Sequence, residues 1–131
     1  MAEAVTKKRP RPKNLDLTTI RLPLPGFVSI LHRVSGFGLF LMLPVLLWLF
    51  QSSIASADTF DSFKAFVSNP VAKLLLLGLI WAYMHHFCAG LRFLALDLHM
   101  GLDLESARMT SKLVLGASLI ATAIIGVTVL W

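Results

Sequence analysis

A stripe of polar residues lies inside the first long apolar run of this 131-residue chain. Counting from Ser29, the further members fall at i+3, i+4 and i+7, at His32, Arg33 and Gly36. This spacing places them on one face of a helix, which then offers a hydroxyl, an imidazole and a permanent cation. Ionisable groups inside a membrane are costly, so the stripe predicts a buried polar pocket near the membrane surface. A second interpretation stays open, in which Arg33 extends to lipid headgroups and Ser29 bonds back to its own helix.

The second apolar run contains two adjacent histidines, His85 and His86. Adjacent helix residues point about 100° apart, so the pair cannot supply both axial ligands of one iron. His86 is the better candidate for a ligand because Gly90, one turn later, leaves room beside it for a flat macrocycle. His85 shares its face with Ala89 and Arg92. The alternative interpretation is a core histidine that forms an interhelical hydrogen bond, which is common in membrane bundles.

Depth along the helices separates these two groups of residues. His86 lies eleven residues before Asp97, which places it roughly 16 Å below the nearer membrane surface at about 1.5 Å per residue. His32 and Arg33 follow Phe27 by five and six residues, a depth of roughly 8–9 Å. A haem ligated at His86 would then be able to extend its propionates toward Arg33 and His32, because arginine pairs well with carboxylates.

Three apolar runs carry these residues, at about 27–50, 70–98 and 109–131. The first would span roughly 35 Å as a helix, enough to cross a bilayer core of about 30 Å. The chain is 56% hydrophobic and 15% charged, with a mean hydropathy of +0.77, whereas soluble domains are about 45–50% apolar and about 25% charged. We therefore predict an all-α integral membrane protein in which residues 27–131 form three transmembrane helices.

The segment between the first two runs contains further local signals. Phe60, Phe63 and Val67 recur at helical spacing, which predicts a short helix lying in the membrane interface. Asn69 and Pro70 then have the types expected for an N-cap and the first residue of the next helix.

Charge sets the expected orientation. Residues 1–26 form a basic tail with six Lys/Arg, and the connection before the third run adds Arg108 beside Lys112. The first connection holds Lys64 in a more acidic stretch. The positive-inside rule therefore predicts a cytoplasmic N-terminus and a C-terminus on the opposite side. A tail in front of an apolar run suits a membrane surface better than nucleic acid, so no nucleic-acid partner is expected.

Several classes of chemistry are excluded by what the sequence lacks. Cys88 is the one cysteine, which rules out an intrachain disulfide and the Cys-x-x-Cys-His attachment of a c-type haem, so a haem would be held non-covalently. Hydrolase and kinase chemistry is not expected, because the sequence shows no paired carboxylates in the apolar runs, no glycine-rich phosphate loop and no serine with a placed base.

At these motifs the chain resembles the cytochrome b membrane-anchor subunit of succinate dehydrogenase, respiratory complex II. The matching stretches are N-L-D-L at 14–17, I-R-L-P at 20–23, S-I-L-H-R-V-S-G at 29–36, and H-F-C-A-G-L-R at 86–92 with a later Asp97. Bacterial members often carry a histidine directly after the arginine that ends the last of these motifs, which is Arg92 here. Phe93 occupies that position here, so any role of that histidine is absent.

The resemblance implies a role for each candidate site residue. His86 would be an axial ligand of haem b, and a partner anchor subunit would supply the second ligand. Ser29 and Arg33 would contribute to the ubiquinone site, His32 would lie near a haem propionate, and Asp97 would tune the quinone pocket.

The resemblance also implies the setting. The chain would be one subunit of a haem-binding helical bundle in the bacterial inner membrane, surrounded by lipid. Its partners would be a second anchor subunit, an iron–sulfur subunit on the cytoplasmic face and a flavoprotein that oxidises succinate. The chain alone would have no succinate chemistry. Two alternatives remain: the anchor of a fumarate reductase, and a structural haem-bearing scaffold whose partner subunits bind the quinone.

Overall fold

The structure, a computed structural model, describes residues 19–131. Within that range the chain is almost entirely helical and contains no strand. In chain order the helices are α1, Leu24–Ala55; α2, Ala57–Ser68; α3, Pro70–Asp97; and α4, Leu104–Leu130. Helices α1, α3 and α4 are long and apolar enough to cross a membrane, which confirms the predicted all-α membrane architecture. Most of the basic tail, including the motif at 14–17, lies outside the described residues.

Helix α1 is longer than its apolar run. It begins at Leu24, three residues before the expected start, because Pro25 occupies the first turn, where its missing N–H leaves no intrahelical bond unmade. At its other end the helix continues to Ala55, and Ser52 and Ser53 donate to backbone carbonyls of the preceding turn. Pro44 lies inside the helix, which continues through it.

The predicted short helix is present as α2. Ser56 caps it in a reciprocal capping box with Thr59, so two backbone N–H groups at its start are satisfied. Asn69 then caps α3 by accepting a hydrogen bond from the Val71 N–H at 2.9 Å, with Pro70 as the first helical residue. These caps confirm the expected boundary and produce a sharp turn between α2 and α3.

Helix α4 begins at Leu104, five residues before its apolar run, because Asp103 is an N-cap. The Asp103 carboxylate accepts a hydrogen bond from the Ser106 N–H at 2.8 Å, and hydrogen bonds from Ser106 hold the pKa of Asp103 below its usual value. In the preceding connection, His99 and Gly101 both have positive φ, at 61° and 69°. This conformation reverses the chain direction within a few residues.

Small and weakly polar side chains form the interior of the helix bundle. The buried residues are Val28, Leu49, Ala72, Ala89, Val114, Ser35, His85, Ser111, Ser118 and Thr122. A Cβ on Gly126 would lie 2.6 Å from the Leu77 Cδ1 atom, so α3 and α4 approach closely there. Most large apolar side chains face outward. A surface of this kind is suited to lipid or to other membrane helices, and the chain is a multi-pass membrane protein.

Candidate functional site

The crossing of α1 and α3 brings together two residues singled out from the sequence, His32 and His86. Their rings stack almost in parallel, with centroids 4.1 Å apart and an interplanar angle of 6°. The ring of Phe93 lies 5.0 Å from the His32 ring at a tilt of 55°. The two backbones are nevertheless offset along the helices. His86 faces Gly36, one turn after His32 on α1, and His32 faces Gly90, one turn after His86 on α3.

Hydrogen bonds between its Nδ1 atom and α1 fix the orientation of His86. Its Nδ1 lies 2.9 Å from the carbonyl oxygen of His32 and 3.4 Å from the Ser35 hydroxyl. Because a carbonyl oxygen only accepts, the contact assigns the ring proton to Nδ1. Both hydrogen bonds use Nδ1, so within residues 19–131 Nε2 keeps its lone pair free for another partner.

Two glycines shape this crossing, Gly36 on α1 and Gly90 on α3. A Cβ on Gly36 would lie 2.6 Å from Cε1 and 3.0 Å from Nδ1 of His86, which is too close for any side chain. A Cβ on Gly90 would lie 3.7 Å from Nε2 of His32, an ordinary contact distance. The close approach of the His86 ring to α1 therefore depends on Gly36, and Gly90 adjoins His32.

His85 points into a different environment from His86. Its side chain is fully buried and stacks against Trp81 with ring centroids 5.5 Å apart. Neither ring nitrogen has a hydrogen-bond partner in the part of the chain that the structure describes. The two adjacent histidines thus occupy separate sites, as their helical spacing predicts.

Ser29 and Arg33 form a pair one turn apart on α1. The Arg33 Nη2 atom donates a hydrogen bond of 3.1 Å to the Ser29 hydroxyl, which confirms that the two side chains share a face. Arg33 is exposed and Ser29 is half-buried. A guanidinium group and a hydroxyl are therefore presented together, next in sequence to the His32 carbonyl that orients His86.

Arg92, the last residue of the H-F-C-A-G-L-R motif, is turned toward α4. Its Nε donates to the Thr110 hydroxyl at 3.0 Å and its Nη2 to the Ala107 carbonyl at 3.4 Å. The guanidinium also lies 5.7 Å from the centre of the Phe93 ring. Arg92 therefore links α3 to α4 through these two hydrogen bonds.

The family model described as the succinate dehydrogenase/fumarate reductase transmembrane subunit matches residues 7–125, a range that contains every candidate site residue. The chain belongs to this transmembrane subunit family.

Individual members of the succinate dehydrogenase family are similar over most of the chain. The succinate dehydrogenase cytochrome b556 subunit of Coxiella burnetii is 36% identical over 118 residues, which are 89% of this chain and 94% of the relative. The subunit of that name from Paracoccus denitrificans is 30% identical over 110 residues, or 84% of this chain and 85% of the relative. The cytochrome b560 subunit of Reclinomonas americana is 29% identical over 123 residues, or 87% and 83%.

In this transmembrane subunit, sequence reasoning missed the part played by Ser35. Its side chain is 6% exposed, and its hydroxyl donates to the His32 carbonyl at 3.0 Å. A serine three residues after a candidate histidine was the available signal, because serine hydroxyls in helices often donate to carbonyls three or four residues earlier.

Asp97 is exposed at the end of α3.

Proposed function

We propose that this chain is a membrane-anchor subunit of a succinate:ubiquinone oxidoreductase, in which it co-ligates haem b and contributes to the ubiquinone reduction site. A second anchor subunit, an iron–sulfur subunit and a flavoprotein complete the complex. The flavoprotein oxidises succinate, and this chain provides the membrane end of the electron path. The names of the similar proteins, cytochromes b of succinate dehydrogenase, support the assignment.

The residues around His86 fit a haem. A ligating imidazole needs one free nitrogen, and its other nitrogen is usually fixed by a carbonyl or carboxylate. His86 has this arrangement, with Nδ1 held by the His32 carbonyl. Gly36 also lets the ring pack directly against α1, because a Cβ there would lie 2.6 Å from Cε1 of His86. When bound, haem b supplies a one-electron carrier.

The second iron ligand is proposed to come from the partner anchor subunit. The rings of His32 and His86 stack face to face, so His32 would not hold the haem iron together with His86. His85 is buried in the interior of the bundle. No group of three or more metal-ligating side chains occurs in residues 19–131, and an iron held by a porphyrin needs none.

Ser29 and Arg33 are proposed to bind the ubiquinone carbonyl. Reduction of a quinone builds negative charge on a carbonyl oxygen, and fixed donors nearby stabilise that charge more effectively than water does. Arg33 supplies a permanent cation, and Ser29 supplies a hydroxyl that rotates to suit its partner. With the N-terminus on the cytoplasmic side of a bacterial inner membrane, both lie near the surface where protons arrive. His32 and Arg33 would meet the haem propionates on the same side of the helix pair.

The observation that carries this proposal is the continuity of the two groups along α1. The His32 backbone orients His86, and the adjacent residue Arg33 is hydrogen-bonded to Ser29. A single helix turn therefore links the candidate haem ligand to the candidate quinone donors. A scaffold that held haem only for structural purposes would not require a paired cation and hydroxyl at this position.

The experiment compares two electron acceptors in the assembled complex. Arg33→Leu should greatly reduce succinate–ubiquinone turnover and leave succinate oxidation by a soluble dye largely intact, because the dye takes electrons before the membrane site. Arg108→Leu is the matched control, since Arg108 is also exposed but lies on α4. Normal ubiquinone reduction by assembled Arg33→Leu complexes would favour the scaffold alternative. A preference for fumarate reduction in the same preparation would identify the fumarate reductase alternative.

A further inference from the structure

The carbonyl oxygen of His32 has two side-chain donors. The Nδ1 atom of His86 approaches it at 2.9 Å and the Ser35 hydroxyl at 3.0 Å, and the hydroxyl oxygen lies 3.4 Å from Nδ1. We propose that Ser35 is a positioning residue that sets the strength of the hydrogen bond between His86 and this carbonyl and thereby the reduction potential of the haem. The inference rests on the proposed ligation of haem by His86.

The effect of Ser35 follows from sharing one acceptor between two donors. Hydrogen bonding from the far nitrogen of a metal-bound imidazole to a carbonyl makes the imidazole a more basic ligand. A more basic ligand stabilises the ferric state relative to the ferrous state, which lowers the reduction potential. The Ser35 hydroxyl draws electron density from the same carbonyl and so weakens the bond that His86 donates. At 3.4 Å the hydroxyl oxygen itself is only a weak acceptor for the Nδ1–H, so its effect on the carbonyl is the larger one. Loss of the hydroxyl should therefore lower the haem potential.

Burial makes this arrangement effective. Ser35 is 6% exposed, so little water is available to replace its hydroxyl when the side chain is removed. Electrostatic interactions are also stronger in a low-dielectric interior than in water. Gly36 allows the imidazole to approach the α1 backbone, because a Cβ there would lie 2.6 Å from the ring. The geometry therefore couples a small hydroxyl on α1 to the electronic properties of a ligand on α3.

The alternative is a purely structural role, in which the Ser35 hydroxyl only hydrogen-bonds to a carbonyl of its own helix, as serines in membrane helices often do. The chain contains a close control for that alternative. Ser118 is fully buried, and its hydroxyl donates to the Leu115 carbonyl three residues earlier at 3.0 Å. Ser35 donates to a carbonyl at the same sequence separation and the same distance. The contact with His86 is what distinguishes the two serines.

The experiment measures the haem midpoint potential in the purified whole complex by potentiometric titration, together with the low-spin ferric EPR spectrum and the haem-to-flavin ratio. Ser35→Ala should retain haem and lower its midpoint potential. The reduction equilibrium should change by up to tenfold, which corresponds to about 59 mV for a one-electron couple. Ser118→Ala should leave the potential and the EPR spectrum unchanged. Ser35→Thr, which keeps a hydroxyl, should restore the wild-type potential.

Other results would overturn the inference. A Ser35→Ala potential equal to that of Ser118→Ala, or a shift that Ser35→Thr does not reverse, would show that the hydroxyl does not act on the ligand. If Ser35→Ala fails to assemble, Ser35→Cys preserves the side-chain volume with a much weaker donor; failure of both would assign Ser35 a purely structural role. Failure of the underlying proposed function is recognised separately, because His86→Leu would then keep its haem spectrum whatever the Ser35 variants show.

Discussion

Replacing Gly36 by alanine adds one methyl group at the point where α1 meets the His86 ring. That methyl carbon would lie 2.6 Å from Cε1 and 3.0 Å from Nδ1, whereas carbon atoms in contact prefer about 3.5–4.0 Å. The ring or the helix must move by about 1 Å. We expect the ring to lose its hydrogen bond to the His32 carbonyl and the complex to lose most of its haem.

The expected cost to global stability is smaller than the cost to the site. Overpacking typically costs about 1–3 kcal/mol, and alanine in a helix interior recovers about 1 kcal/mol relative to glycine. The net destabilisation is therefore about 2 kcal/mol at most, which leaves an assembled complex in which the ligand is misplaced. For this reason haem content is a sharper measurement than thermal melting.

The assay is the haem-to-flavin ratio and visible spectrum of the purified complex. Gly38→Ala is the matched control, because Gly38 lies two residues further along the same helix with nothing within 4 Å of its Cβ position. Gly90→Ala adds a second comparison with an ordinary 3.7 Å contact to His32. A Gly36→Ala complex with the same haem content and spectrum as Gly38→Ala would refute the assignment of this crossing as the ligand site.

Three further outcomes are expected. Ser29→Ala should slow ubiquinone reduction less than Arg33→Leu does, since loss of one neutral donor costs about 0.5–1.5 kcal/mol net. Turnover at saturating ubiquinone checks this expectation, and a larger loss of turnover than for Arg33→Leu would contradict it. The chain purified alone should not hold stoichiometric six-coordinate haem, because it supplies His86 as its one placed ligand; a complete low-spin spectrum from the isolated subunit would disprove this. Arg92→Leu should lower the melting temperature of the complex more than Thr110→Val, because it removes two hydrogen bonds from a charged donor to α4; equal melting temperatures would contradict it.

The three membrane helices and the shared face of Ser29 and Arg33 were predictable from sequence, because both depend on local hydrophobicity and helical spacing. The separation of His85 from His86 was predictable for the same reason. The caps at Ser56 and Asp103 extend helices through polar residues, so apolar runs alone give incomplete helix bounds.

The contacts between helices were not predictable from local patterns. Gly90 carries an obvious one-turn relation to His86, but the glycine that adjoins the His86 ring is Gly36 on the other helix. The relative depth of His32 and His86 likewise depends on where each helix begins and how the two cross. The sequence places Arg92 on the same face of α3 as His85, and only the packing of α4 shows that its donors bind Thr110 and Ala107.

The visible and low-spin ferric EPR spectra of the assembled complex carrying His86→Leu, beside the same complex carrying His85→Leu, test the haem assignment most directly. His85 is buried with both ring nitrogens unpartnered, so leucine there removes no hydrogen bond seen in residues 19–131 and should keep the wild-type haem spectrum. His86→Leu should lose the haem or convert it to a different spin state. The reverse pattern, with the spectrum lost in His85→Leu and kept in His86→Leu, would contradict the assignment of His86 as the ligand.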